Sequence, residues 1–255
     1  MDYISILPTT FISKMEYSPS KKTLVLPYLI TEGNEYHKQC LEFKKQGGEI
    51  WLDDGYYELR QNMKIEELVK KALSVNADVL VPFDLPHRSN IRFITESVIK
   101  QIRKLGYKGK IACLTSAENE NINQDLEQFK IFNSMDEVDI IAIPYNFDKS
   151  SENKRAELLK LIEKEVGKGE IKKHIHLFGL SSYKNLLKEK DFKWISSIDS
   201  TWPFKLGMFK IQLPPKNKNM IEPSRPKSYF ETNKLLPEQV KCIKNNIKYL
   251  KGLLK

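Results

Sequence analysis

The sequence predicts an α/β protein built as a (β/α)8 barrel of the TIM type. Short apolar, β-branched segments alternate with polar segments of helical periodicity, with a repeat of about 20 to 35 residues. Strands that are apolar throughout and are separated by amphipathic helices indicate a parallel sheet covered by helices. No glycine-rich phosphate loop follows the first strand, which favours a closed barrel over an open dinucleotide-binding sheet.

Seven strands and a possible eighth are predicted. In chain order they are Leu24–Ile30, Glu49–Leu52, Val79–Phe83, Lys110–Leu114, Asp139–Ile143, His174–Phe178, Trp194–Asp199 and, as the eighth, Phe209–Leu213. The helical segments are Glu35–Gln46, Ile65–Val75, Asn90–Leu105, Asn121–Ser134, Ser151–Val166 and Tyr183–Glu189. Residues 216–234, rich in Pro, Lys and Asn, predict a loop, and Pro237–Lys255 predicts a basic C-terminal helix. Because no domain boundary is visible, we expect residues 1–255 to form a single domain.

Composition and charge exclude some classes of protein. No stretch approaches the roughly 18 apolar residues of a membrane-spanning helix. The N-terminus lacks the pattern of a secretory signal, and Cys40, Cys113 and Cys242 are too few for a disulfide framework, so a cytoplasmic protein is expected. The 42 basic and 33 acidic residues give a net charge of +9. This excess fits either a polyanionic partner or the lysine bias of an AT-rich coding sequence.

Three predicted strands are followed directly by, or end in, an aspartate. These residues are Asp53, Asp84 and Asp199. In barrels the active site lies at the C-terminal ends of the strands, where the following loops converge. A single aspartate there would be an ordinary helix or turn cap, but three converging carboxylates repel one another, which favours a shared functional site.

Paired carboxylates suit chemistry at the anomeric carbon of a sugar. One carboxylate can attack that carbon while the other protonates the leaving group, and a third can accept hydrogen bonds from a guanine-like edge. Nearby aromatic residues, Tyr56, Tyr57 and Trp202, either stack on a base or pack in the core. The histidines are expected to form no metal site, because we expect His174 and His176 to face opposite sides of their strand.

Four segments between about Ile50 and Phe204 carry a family resemblance. They are Leu52–Glu58 (LDDGYYE), Ala77–Asp84 (ADVLVPFD), His176–Leu180 (HLFGL) and Ile198–Pro203 (IDSTWP). In order and spacing they resemble the tRNA-guanine transglycosylase superfamily, and within it the phage-type 7-deazaguanine DNA transglycosylases.

The resemblance implies a base exchange without a cofactor. Asp199 would attack C1′ of a guanosine or deoxyguanosine and expel guanine, while Asp53 would act as general acid and base. Asp84 would hold the N1–H and 2-amino groups of the base. Further expected substrate contacts are Gly179, Leu180, Tyr56, Tyr57 and Ser116, and candidate phosphate contacts are Arg88, Arg92, Lys205, Arg225 and Lys227. The implied partners are guanine-containing DNA and a free 7-deazaguanine such as 7-cyano-7-deazaguanine.

The chain departs from the tRNA-acting members of that family. Their structural zinc is held by Cys-x-Cys-x2-Cys and a later His, whereas this chain has only Cys242 beyond the nucleophile strand and no His after His176. The family's fifth-strand Gly-Gly is replaced by Pro144-Tyr145, and its fourth-strand Gln is not evident near Leu114–Glu118. We therefore expect a DNA substrate. An RNA base exchanger, a nucleoside hydrolase or glycosidase, and a non-catalytic nucleic-acid-binding barrel are the alternatives.

Overall fold

A computed structural model describes residues 1–59, 61–82, 88–116, 121–145, 154–179, 183–214 and 223–255. The described residues form eight parallel strands that close into a barrel in sequence order, with β8 pairing back onto β1. The strands are β1 (Asp2–Ser5), β2 (Lys22–Val25), β3 (Glu49–Leu52), β4 (Val79–Leu80), β5 (Lys110–Leu114), β6 (Ile140–Pro144), β7 (His174–Phe178) and β8 (Ser197–Ser200). The predicted (β/α)8 barrel is therefore confirmed.

Helices surround the barrel in the described part of the chain. They are α1 (Glu35–Lys45), α2 (Tyr56–Leu59), α3 (Ile65–Ser74), α4 (Ile91–Lys104), α5 (Ile122–Asn133), α6 (Lys154–Glu165), α7 (Tyr183–Glu189), α8 (Trp202–Met208) and α9 (Pro237–Leu253). Asn34 and Asn121 begin α1 and α5 by accepting hydrogen bonds from backbone N–H groups of the first turn. None of the helices described combines the length and apolar character needed to cross a bilayer.

Two strand predictions are wrong. The first strand of the barrel is Asp2–Ser5, where polar residues at both ends leave only two apolar residues in a row. The predicted first strand becomes β2 and ends at Val25. Phe209–Leu213 is not a strand. Its backbone bonds instead to a buried side chain of α9, because Asn246 accepts from Leu213 N–H and donates to the carbonyl of Ile211.

Side chains from alternate strand positions fill the barrel lumen. The apolar cluster inside it is Ile4, Leu24, Trp51, Val79, Val81, Ala112 and Ile140. The residues between them point outward and join a larger core shared with the helices. Because successive strand residues alternate between faces, Asp53, two residues after Trp51, continues the inward series toward the C-terminal end of the barrel.

Candidate active site

Asp199 lies on the last strand of the barrel with its side chain buried, at 1% exposure. Its Oδ1 accepts a hydrogen bond from Gly179 N–H at 2.8 Å and lies 2.9 Å from Nε2 of His176. Two partners therefore converge on one oxygen and stabilise its negative charge. Both of these contacts are to Oδ1, and no described residue donates a hydrogen bond to Oδ2.

Asp53 follows β3 directly and is also buried. Burial raises the pKa of Asp53 well above the ordinary carboxyl value, and the charges of Asp54, Glu58 and, more weakly, Asp199 raise it further. The N–H of Asp54, which donates to Asp53 Oδ1 at 2.8 Å, opposes this shift. The structure thus brings Asp53 and Asp199 within electrostatic reach and holds them in contrasting environments.

The turn after β3 carries the other acidic residues of the site. Asp54 Oδ1 accepts from Tyr56 N–H at 2.9 Å, which closes the turn into α2, and Gly55 takes the left-handed conformation that this turn requires, with φ +76°. Glu58 Oε1 pairs with Arg225 at 2.7 Å. Arg225, predicted as a phosphate contact, therefore neutralises an acidic side chain beside Asp53.

Aromatic rings pack beside this acidic turn. The guanidinium of Arg225 lies 5.0 Å from the ring centroid of Phe230. The ring of Tyr28 packs so closely on the turn that a Cβ on Gly55 would lie 3.3 Å from it. Burial and then the charge of Glu58 raise the pKa of Tyr28 to about 12, so its hydroxyl keeps its proton at neutral pH. These groups supply apolar surface and hydrogen-bond donors on the side of Asp53.

The turn after β7 is held by a buried arginine that the sequence did not identify. Arg155, at the start of α6, forms two hydrogen bonds with Glu189, at 2.8 and 2.9 Å, and both side chains are 2% exposed. Its Nη1 donates to the carbonyls of Phe178 and Gly179, each at 2.9 Å. Because Gly179 N–H contacts Asp199, this ion pair positions a donor of the site.

The two histidines of β7 share one face, which contradicts the expectation that they face opposite sides. Residues two apart on a strand point the same way. His174 Nε2 lies 2.7 Å and His176 Nδ1 2.8 Å from the hydroxyl of Ser197 on β8. His176 is therefore a site residue that the sequence reasoning missed, although the alternation of β7 and the neighbouring strand that carries Asp199 could have identified it.

The structure describes only some of the remaining predicted substrate contacts. Asp84 and Leu180 lie outside the described residues, as does the side chain of Tyr57. Tyr56 begins α2 at the acidic turn. Ser116 is buried after β5, where its N–H donates to Gln128 Oε1 at 3.0 Å.

The predicted phosphate contacts are spread over several elements. Arg88 and Lys227 are exposed, and Lys205 is half-buried in α8. Arg92 donates to Ser134 at the end of α5 and lies 3.8 Å from Glu96, so its guanidinium is engaged in the outer helical layer. Within the part of the chain that the structure covers, no group of three or more His, Cys, Asp or Glu residues is arranged to hold a metal ion.

Comparison with known proteins gives little beyond the fold. No protein-family model matches the chain, and no curated protein matches it. Among solved structures, one similar chain comes from work on the mutual activation of the tryptophan synthase α2β2 complex from Pyrococcus furiosus. That chain is 12% identical, with a TM-score of 0.48, and the similarity covers 78% of this chain and 86% of that one. A similarity this distant says nothing about activity, and the closed eight-stranded barrel itself establishes the fold.

Proposed function

We propose that this protein is an enzyme, a base-exchange transglycosylase that replaces guanine in DNA with a 7-deazaguanine through an aspartyl-glycosyl intermediate. The observation that carries the proposal is the contrast between two buried aspartates at the C-terminal end of the barrel. Asp199 has hydrogen-bonding partners on one oxygen, whereas burial and neighbouring acids favour the protonated form of Asp53. A protonated carboxyl group can serve as general acid, and a second carboxyl group oriented by hydrogen bonds can serve as nucleophile.

In the first half-reaction, Oδ2 of Asp199 attacks C1′ of the target nucleotide. The bond between C1′ and N9 breaks, its electron pair goes to the purine, and the proton of Asp53 neutralises the departing guanine. The products are free guanine, an ester between Asp199 and C1′, and an ionised Asp53.

In the second half-reaction, a 7-deazaguanine occupies the site that guanine has left. Ionised Asp53 removes the N9 proton of the incoming base as N9 attacks C1′, and the C1′–Oδ2 bond breaks. Asp199 leaves as a carboxylate and Asp53 regains its proton. The cycle is balanced in atoms and charge without a cofactor, because one glycosidic bond replaces another.

Base recognition in this proposal falls to the turns around the aspartates. Asp84 would accept hydrogen bonds from N1–H and the 2-amino group, which guanine and 7-deazaguanines share. Gly179, Leu180, Ser116, Tyr56 and Tyr57 would form the rest of the base pocket, and the target nucleotide would leave the duplex stack to reach it. The net charge of +9 supports a phosphate-backed substrate, with Arg88, Lys205 and Lys227 as its proposed contacts, whereas Arg92 and Arg225 are engaged by Ser134 and Glu58.

The test follows the release of radiolabelled guanine from DNA, and in parallel from tRNA, with and without added 7-cyano-7-deazaguanine. We expect release from DNA that depends on the added base. Release only from tRNA would make the substrate RNA, and release without added base would indicate a hydrolase. No release from either nucleic acid by the folded protein would favour the non-catalytic barrel.

Three isosteric variants separate the roles of the acidic residues. Asp199→Asn keeps the side-chain shape but removes the nucleophile, so exchange should be abolished. Asp53→Asn should slow exchange by about 100-fold or more, the usual contribution of a general acid. Asp191→Asn is the matched control, because Asp191 is exposed and pairs only with Lys190 among the described residues, and its exchange should equal that of the unaltered protein. Retained turnover in Asp199→Asn would refute the nucleophile assignment.

A further inference from the structure

A continuous chain of hydrogen-bonding groups leads to Asp199 through the barrel lumen. His174 Nε2 lies 2.7 Å from Ser197 Oγ, Ser197 Oγ lies 2.8 Å from His176 Nδ1, and His176 Nε2 lies 2.9 Å from Asp199 Oδ1. The four side chains alternate between two neighbouring strands, β7 and β8, whose register pairs His176 with Ser197. His176 and Ser197 are fully buried, so these contacts are not shared with bulk water.

The chain runs from one end of the barrel to the other. His174 is the first residue of β7, and the charges that act on it come from Asp2, Lys22 and Lys110, which begin β1, β2 and β5. Asp199 lies near the C-terminal end of β8, beside the acidic turn. The indole of Trp51 packs on both imidazole rings, with centroid distances of 6.0 Å to His174 and 4.7 Å to His176, and fixes their orientation.

With His176 neutral, one arrangement of hydrogen atoms satisfies every contact of the chain. A carboxylate has no proton to give, so His176 must donate from Nε2 to Asp199, which leaves its Nδ1 as an acceptor. Ser197 donates its single hydroxyl proton to that Nδ1 and accepts from His174 Nε2–H. Burial lowers the pKa of His174 to about 4, and the positive charges of Lys22 and Lys110 lower it further against the opposing charge of Asp2. His174 is therefore a neutral donor at pH 7.

We propose that His176 is a positioning residue for the transglycosylation. Its Nε2 fixes Oδ1 of Asp199 and thereby selects Oδ2 as the attacking oxygen, while Ser197 and His174 set the tautomer of His176. This inference rests on the proposed function of Asp199. After the attack, Oδ1 is the carbonyl oxygen of the glycosyl ester. A donor on that oxygen stabilises the carboxylate as it leaves, so His176 chiefly assists the second half-reaction.

The hydrogen-bonded chain can be tested without any activity. The protein has four histidines, and ring-nitrogen NMR of histidine-labelled protein resolves their tautomers. His37 serves as an internal reference, because its Nε2 faces the carbonyl of Ser74 at 3.1 Å and its Nδ1 accepts from Gly33 N–H. We expect His176 as the Nε2–H tautomer, with signals that shift in Asp199→Asn while those of His37 stay unchanged. An Nδ1–H tautomer, or an Nε2 signal that Asp199→Asn does not move, would overturn the chain.

The kinetic test compares two replacements of His176 in the exchange assay. His176→Leu removes the donor and should slow exchange roughly 10- to 100-fold, the range for a hydrogen bond to a charged group. Because the second half-reaction is affected most, the covalent protein–DNA adduct should accumulate on denaturing gels. His176→Gln places an amide N–H near the original Nε2 and should restore most of the rate. Exchange by His176→Leu at the unaltered rate would refute the positioning role.

Controls separate this inference from folding and from the proposed function. Ser197→Ala removes only a hydroxyl group, so it tests the chain even if His176→Leu fails to fold, and it should shift the ring signals of both His174 and His176. His37→Gln, a buried histidine outside the site, should exchange at the normal rate. If the unaltered protein exchanges no base, the proposed function fails, and the NMR result alone then decides whether His176 positions Asp199.

Discussion

The buried ion pair between Arg155 and Glu189 allows a quantitative prediction about the turn that contacts Asp199. Arg155 donates twice to Glu189, at 2.8 and 2.9 Å, and twice to the carbonyls of Phe178 and Gly179. Arg155→Met leaves the Glu189 charge buried without its partner, at a cost of about 3–5 kcal/mol. For a chain of this size each kcal/mol lowers Tm by about 2–4 °C, so thermal denaturation should show a Tm roughly 6–20 °C lower.

The double variant separates the charge of this pair from its role in the site. Arg155→Met combined with Glu189→Leu removes both charges of the pair, so most of the lost stability should return. Base exchange should stay impaired, because the Phe178 and Gly179 carbonyls still lack their donor. Lys190→Met breaks an exposed pair and should change the free energy of unfolding by less than about 0.5 kcal/mol. The reasoning is refuted if Arg155→Met costs no more than this control, or if the double variant is no more stable than Arg155→Met.

Three further substitutions, the last with a matched glycine control, test the site and its scaffold. Because burial raises the pKa of Asp53, its contribution to stability is full below the ordinary carboxyl pKa of about 3.9 and declines as pH rises toward the folded-state value. Urea unfolding of Asp53→Asn should therefore show a higher free energy of unfolding than the unaltered protein at pH 7 and no gain near pH 3; an equal gain at both values would contradict this. Gly179→Ala should lower the free energy of unfolding by about 1–2 kcal/mol in the same assay. The cost comes from the backbone conformation, with φ +72°, because the added Cβ would make only ordinary contacts. An unchanged stability would show that the turn relaxes freely. Gly207→Ala should lower the free energy of unfolding by about 1–3 kcal/mol or more, because its Cβ would lie 2.7 Å from the backbone nitrogen of Ile243 on α9. The control Gly252→Ala, in open space on α9, should raise it by about 0.5 kcal/mol, and equal effects would rule out the close approach of the helices.

The positions of most helices could be predicted because their information is local. Helical periodicity identified Tyr183–Glu189 with the bounds of α7, and the predicted ends of α1 and α5 lie within a residue or two of the observed ones. The strands with long apolar runs, β5 and β7, were also predicted with their observed bounds. The short strand β1 was missed because its four residues become a strand only through pairing with β2 and β8.

The sequence by itself determined the class of fold and the position of Asp53 and Asp199 at strand ends, since both follow from alternation along the chain. Only the tertiary structure decided what surrounds them. Barrel closure brings β7 beside β8, which places His176 against Asp199, and it pairs Arg155 with Glu189 across 34 positions of sequence. Hydrogen-bond donors on Asp199 and acidic neighbours around Asp53 then give the two buried aspartates different surroundings, which no local pattern of residues records.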